Sequence, residues 1–381
     1  MKNKNIILGI IAIICIMSIF IVPISSINDI DSFIKYDIFD KLRILFIVFS
    51  IILFLTNPRK TKFSYISSTT ITIIFIIKII MYREIDMSII YISAGIIVVE
   101  HILINEININ LVKKLFEISF YMYLIQLVVY SFNNYKLTGV LEIVSSAYDA
   151  NYTGYFTFIL GTYFLYINKR IKAIILFIVG LFTYSRLYII SLILFVILTK
   201  VCNKKVFINI STLIYSFWFY IAIQFLVVIV SLMYCNIYEY FKPEYVYLEG
   251  FSRMTNLLDE SNYIRSQANL FALKSINLGN LLLGLQEGTF IGIDYFKGKT
   301  IFPHNLFWSM YVHFGMIITI LFLSRYSKIL IKYKSDILPF YFVIILYHSF
   351  LGLGPFYGID LVIITFIVIT ICKENKLCSK E

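Results

Sequence analysis

Apolar residues in this chain come in blocks of roughly 15 to 25, set apart by short polar stretches. A helix needs about 20 apolar residues to cross about 30 Å of hydrocarbon with every backbone group bonded inside the segment. The pattern meets that requirement repeatedly. It predicts spans over Asn5–Ile24, Leu42–Thr56, Tyr65–Tyr82, Met87–Ile104, Leu115–Phe132, Tyr152–Ile167, Ile171–Tyr184, Leu187–Val201, Val206–Tyr234, Asn305–Leu323, Ile337–Phe350 and Ile359–Cys372. The expected fold class is therefore all-α, a polytopic helical membrane protein with about 12 transmembrane helices. One long outer-face loop separates the ninth span from the tenth. Residues 1–381 form a single transmembrane domain, with 235–303 a partly helical extracytoplasmic loop inside it.

Composition agrees with this reading. The chain is 60% hydrophobic and only 14% charged, with a mean hydropathy of +0.86. A soluble domain is nearer half apolar and a quarter charged. The first apolar stretch follows Lys2 and Lys4 like a signal peptide. It lacks a small-residue cleavage site and is almost full span length, so it reads as a retained first helix. The five cysteines form no CxxC or Cys/His cluster and read as small buried hydrophobes.

Charge gives the orientation. Lys2 and Lys4, then Arg59, Lys60 and Lys62, then Lys113 and Lys114 share one side. So do Lys169, Arg170 and Lys172, then Lys200, Lys204 and Lys205. Arg325, Lys328, Lys332 and Lys334 follow, and last Lys373, Lys376 and Lys380. Short basic connections mark the cytoplasmic face. Asp29, Asp31, Asp37, Asp40, Glu84, Asp86, Asp149 and Glu239 fall on the opposite side. Both termini come out cytoplasmic. The net charge of +11 thus reports orientation, and nucleic acid is not an expected partner because no soluble segment carries a basic stripe with interleaved aromatics. Ile171–Val201 reads as two short spans meeting at Tyr184-Ser185-Arg186. A single span there would turn the later basic clusters outward.

The loop from Cys235 to Phe302 is long enough to carry function. Within it, Ser261–Asn277 reads as a helix with Ser261 as N-cap, Asp259 and Glu260 beside its positive end and Gly279 beyond its close. Ile264, Ala268, Phe271 and Ile276 form its apolar side, as in a helix lying over the membrane surface and roofing a cavity. A second outer segment, Ser131–Asn151, ends in Tyr148-Asp149-Ala150-Asn151. A third, Asn28–Asp40, holds four Asp.

Lysine fills the cytoplasmic connections, whereas outer positions use Arg83, Arg186, Arg253 and Arg265. Arg186 lies between two apolar segments, where a charge is costly. A guanidinium presents a planar fork suited to two phosphate oxygens. The set of Arg186, Arg253 and Arg265 points to an anionic, phosphate-bearing ligand; interfacial anchoring or pairing with Asp and Glu is the alternative for each one. His304, after Pro303 and before Asn305, is positioned to donate to a ligand above the membrane or take a proton from it. His101, His313 and His348 read as structural. Asp29-Ile30-Asp31 is a weak metal pattern, read as a solvated loop, and no metal site or cofactor is expected.

These pieces, in this order and on one side, resemble the O-antigen polymerase and ligase family. The resemblance covers about the last two-thirds of the chain. An Asp-x-Asn opens a middle span, here Asp149-Ala150-Asn151 before Tyr152-Thr153-Gly154-Tyr155-Phe156. A Ser-Arg stands at an outer hinge, here Ser185-Arg186. An arginine on a loop helix precedes a glycine turn, here Arg265 and Leu283-Gly284-Leu285. A His-Asn opens the next span before a glycine, here His304-Asn305 and Phe314-Gly315. Ala150 departs from a common Pro, and Gly-Leu-Gln-Glu-Gly departs from a tighter Gly-x-Gly.

The resemblance implies a multi-pass protein of the bacterial cytoplasmic membrane and a metal-independent glycan polymerase. Its partners would be an undecaprenyl-diphosphate-linked oligosaccharide, membrane lipid, a chain-length regulator and a flippase. Arg186, Arg265 and His304 would be catalytic, with Arg253, Asp149, Asn151, Asn305 and Ser185 binding substrate. Other readings stay open at this point: a ligase of the same family, a polysaccharide flippase or transporter, a metal-dependent glycosyltransferase resting on Asp29 and Asp31, and a membrane scaffold.

Overall fold

The computed structural model describes residues 2–20, 37–56, 62–83, 87–104, 107–145, 150–201, 217–241, 258, 260–285, 303, 305–332, 334–350 and 358–378. All regular structure among them is α-helical. In chain order the helices are α1 (Lys2–Phe20), α2 (Asp37–Thr56), α3 (Lys62–Tyr82), α4 (Met87–Ile104) and α5 (Ile109–Thr138). Then come α6 (Ala150–Tyr166), α7 (Arg170–Leu181), α8 (Arg186–Val201), α9 (Phe217–Phe241) and α10 (Glu260–Lys274). The last are α11 (Leu278–Leu283), α12 (Leu306–Lys332), α13 (Lys334–Phe350) and α14 (Ile359–Cys378). Each expected span overlaps one of these helices over its described residues, and α4 has the bounds the sequence predicts.

Among the described residues, three helical stretches are long and apolar enough to cross a membrane: Ile109–Lys136, Ile221–Phe241 and Leu306–Ser324. Ile6–Phe20, Thr69–Tyr82, Ile89–Leu103 and Pro339–Phe350 are shorter apolar helices. Their exposed faces carry the decisive signal. On α5, Ile118, Tyr121, Ile125, Val128 and Phe132 point outward, while Phe116, Phe120, Tyr123, Leu127 and Tyr130 point inward. Both faces are apolar, which a water-facing helix does not tolerate. This is an all-helical membrane protein.

The chain divides into two compact units. The first comprises Met1–Ser68, Ile90–Leu194 and Pro355–Glu381. Here α1 packs against α2, α5 and α14. Phe20 on α1 meets Tyr123 and Phe156 edge-on. Helices α6 and α7 form an antiparallel hairpin in which Gly161 admits Leu176 and Phe177. Lys113 pairs with Glu374, and Lys172 with Glu117.

The second unit comprises Thr69–Ile89 and Phe195–Gly354. Gln224 on α9 donates to Ser349 Oγ on α13 at 3.0 Å, and Trp308 Nε1 donates to the Gln224 carbonyl at 3.4 Å. Helix α10 corrects the expected loop helix in two ways. It runs antiparallel along α9, with Asn269 Nδ2 donating to Ser231 Oγ and Tyr263 stacked on Tyr238 at 4.3 Å. It also stops at Lys274, because Asn277 caps a separate short helix, its Oδ1 accepting from the Asn280 N–H at 2.8 Å. Ile264 and Ala268 are buried as expected, and Ile276 is exposed.

Candidate functional site

The turn between α7 and α8 is built from side chains. Tyr184 has φ of 51°, a left-handed conformation that a non-glycine residue adopts rarely. Thr183 Oγ1 donates to the Gly180 carbonyl at 2.7 Å and accepts from the Ser185 N–H at 3.3 Å. Ser185 then caps α8: its Oγ accepts from the Tyr188 N–H at 3.2 Å. The same hydroxyl donates to Asn151 Oδ1 on α6 at 2.8 Å. The structure thus joins Asn151 and Ser185, two predicted site residues.

Arg186 is the first residue of α8 and is half-buried. A helix start is the positive end of its dipole and favours anions, so an arginine there adds to the positive potential instead of balancing it. Dipole and guanidinium together suit an anionic ligand. Tyr188 holds this helix start in place. Its hydroxyl donates to the Phe177 carbonyl at 2.9 Å, and its side chain leans on Gly154 and Gly180, where a Cβ would collide with it.

The segment that precedes α6 is laced to the same turn. The Ile143 N–H donates to the Phe182 carbonyl at 2.9 Å, and the Val144 N–H to Ser131 Oγ at 3.1 Å. Thr153 Oγ1 accepts from the Ser145 N–H at 2.8 Å. One turn along α6 from Asn151, the Tyr155 hydroxyl donates to both carboxylate oxygens of Asp360, each at 3.0 Å. Asp360 is fully buried in the first turn of α14. Gly358 leads into it at φ 80°, pressed against Tyr91 and Gly95 of α4. Sequence reasoning missed Asp360. Its signal was an acid at the head of an apolar run, after Gly-Pro-Phe-Tyr-Gly.

The second unit holds two more predicted residues. Arg265 is half-buried on α10, between buried Ile264 and Ala268. Asn305 is fully buried and caps α12: its Oδ1 accepts from the Trp308 N–H at 3.2 Å and its Nδ2 donates to the Ser349 carbonyl at 3.3 Å. Both ends of its amide hold the fold, so its part is to seat the start of α12. Arg83 is exposed just past α3. Asp149, Arg253 and His304, like Asp29 and Asp31, lie outside the described residues.

Helix α12 also breaks. Gly315 has φ 78° and ψ 171°, a conformation open essentially to glycine alone. Gly284, at φ 77° and ψ −170°, lies against the break, and the Leu285 N–H donates to the Val312 carbonyl at 2.7 Å. The glycines of the two sequence motifs are therefore in contact.

Among the described residues no group of three or more His, Cys, Asp or Glu side chains is arranged to hold a metal ion. No family model, curated protein or solved structure matches this chain.

Proposed function

We propose that this protein is a multi-pass polysaccharide repeat-unit polymerase of the bacterial cytoplasmic membrane, with about 12 crossings and both termini in the cytoplasm. It transfers a glycan from undecaprenyl diphosphate to the next lipid-linked repeat unit. The observation that carries this reading is Arg186 at the capped start of α8, tied through Ser185 to Asn151.

In the transfer, the bond from the sugar's anomeric carbon to the diphosphate oxygen breaks. A bond to an acceptor hydroxyl forms, and that hydroxyl loses its proton. Negative charge grows on the leaving diphosphate, so a fixed cation at its oxygens lowers the barrier. Arg186 does this from the α8 start, with Arg265 and Arg253 as further cations on the outer loop. His304 contacts the same phosphates or takes the acceptor proton. Asp149, two residues before Asn151 in the sequence, orients the arginine or the acceptor in this reading. Tyr155 and Asp360 brace α6 one turn below, keeping Asn151 against Ser185.

Deleting the gene and sizing the glycan tests the reading. A polymerase leaves single repeats in place of a ladder, whereas a ligase leaves the ladder on its lipid carrier. The break at Gly315 supports a second reading, a flippase or transporter, because discontinuous helices at mid-membrane hold substrates in such proteins. In that case repeats accumulate on the cytoplasmic side.

A further inference from the structure

The apolar stretch Thr69–Tyr82 of α3 carries one charge, Lys78. Ile73, Ile76, Ile77 and Ile80 face outward, while Ile71, Ile74 and Lys78 share the inward stripe. A lysine near the end of such a helix ordinarily snorkels to water. Lys78 is instead only 6% exposed, and a buried intramembrane charge marks a functional role with a definite partner.

That partner is the backbone carbonyl of His313, to which Lys78 Nζ donates. The carbonyl belongs to the last turn before the break at Gly315. A helix end leaves carbonyls without intrahelical donors, and a cation is favoured beside them. Here the Val312 carbonyl takes the Leu285 N–H at 2.7 Å and the His313 carbonyl takes the ammonium. The break is closed from two directions, by α3 and by the chain leaving α11.

The second contact leads back to α10. Gly284 and Leu285 follow directly on α11, and the Ser275 carbonyl between α10 and α11 accepts from Asn280 Nδ2 at 2.9 Å and from the Tyr311 hydroxyl at 3.3 Å. The first half of α12 thus supports the foot of the helix that carries Arg265.

We propose that Lys78 is a positioning residue for the glycan transfer, acting through the His313 carbonyl to fix the break in α12 and, by way of α11, the station of Arg265 on α10. This rests on the function proposed above.

The test uses the full-length protein in membranes. Lys78→Met keeps length and apolarity and removes the charge, while Lys78→Arg keeps a cation. Polymer synthesis is measured against the concentration of lipid-linked repeat, and folded protein is quantified by melting in detergent. The expected result is a fall of roughly ten- to hundredfold per folded molecule in Lys78→Met, with most of it recovered in Lys78→Arg. Lys78→Gln, a shorter uncharged donor, takes the place of Lys78→Met if that variant does not fold, with the same fall expected. Wild-type output from the uncharged variants, or Lys78→Arg no better than Lys78→Met, overturns the inference. Arg265→Ala and deletion of the gene separate the two levels. Unchanged polymer in Arg265→Ala removes Arg265 from the transfer and with it the route proposed for Lys78, whereas an unchanged ladder after deletion of the gene defeats the function itself. Lost polymer in Arg265→Ala, with Lys78→Met at full output, defeats only the role of Lys78.

Discussion

The start of α8 and the break in α12 are both places where an apolar helix is interrupted, yet they are made of different material. At α8 the interruption is managed by side chains: Thr183 and Ser185 take the turn's hydrogen bonds, Asn151 holds Ser185, and Tyr188 wedges against two glycines. At α12 it is managed by backbone. Gly284 and Gly315 approach with no room for a Cβ, an N–H from the next segment fills one carbonyl, and Lys78 and Thr319 donate to the carbonyls of His313 and Gly315. A side-chain joint adjusts when a neighbour changes. A backbone joint fixes geometry and has nothing to adjust. The contrast is that between an adjustable joint at the first site and a rigid mount at the second.

The largest effect expected from breaking this contrast is on activity at the first site. Arg186→Ala removes the cation at the α8 start, and loss of a group that stabilises developing charge lowers rate by about 10²–10³-fold. Glycan sizing is expected to show single repeats. Arg186→Lys keeps charge without the planar fork and is expected to recover part of the ladder. Full-length polymer from Arg186→Ala removes the α8 start from the mechanism.

Stability separates the two joints next. Gly315→Ala puts a methyl group against the Leu282 carbonyl and forces a side chain into a glycine-only conformation. Strain of about 1–3 kcal/mol adds to overpacking of about 1–3 kcal/mol. Gly180→Ala meets the Tyr188 ring and hydroxyl first, so its cost is the packing part, about 1–3 kcal/mol. The sharper measurement is a second change. Trimming the wedge in Gly180→Ala/Tyr188→Leu is expected to recover melting temperature relative to the sum of the single effects. No side-chain change is expected to relieve Gly315→Ala, because what it strikes is backbone. Recovery at both joints, or at neither, removes the distinction.

How much of this was legible follows the same division. Helices were legible because apolar length is a property of the chain alone, and the split between α7 and α8 was legible because Arg186 has no place inside a span. Asn151, Ser185 and the two motif glycines were visible as a pattern, although nothing in the pattern says that Gly284 touches Gly315. Asp360 was not legible, since its partner Tyr155 is 205 residues away and an acid at a span start is common. Lys78 escaped for the opposite reason: one lysine a turn from a helix end looks like a snorkelling anchor until its burial is known. The loop helix was given the wrong end because Asn277 closes one helix and caps another equally well by composition.

Ser185→Ala probes the cap alone. Losing an N-cap hydroxyl costs about 1 kcal/mol, a small drop in melting temperature. The hydroxyl also holds Asn151, so the same variant is expected to lower polymer output more than its stability loss accounts for. Ser185→Thr keeps the hydroxyl and is expected to restore both. A stability loss with unchanged output makes Ser185 a cap and nothing further.

The smallest effect is expected where charge is most visible. Lys172 pairs with Glu117, and their side chains are 18% and 31% exposed. Partly exposed pairs contribute about 0–1 kcal/mol and are screened by salt. Lys172 also stands over the rings of Phe120, Tyr121 and Phe164, with its Nζ 5.0, 4.7 and 5.4 Å from their centres. A cation over an aromatic face is worth about 0.5–1 kcal/mol at such a site and does not depend on the glutamate. Glu117→Gln is therefore expected to change melting in detergent by less than Lys172→Ala does, and high salt is expected to erase the first difference while leaving most of the second. If Glu117→Gln proves the larger, the carboxylate is what anchors α7 to α5, and the aromatic rings are only its surroundings.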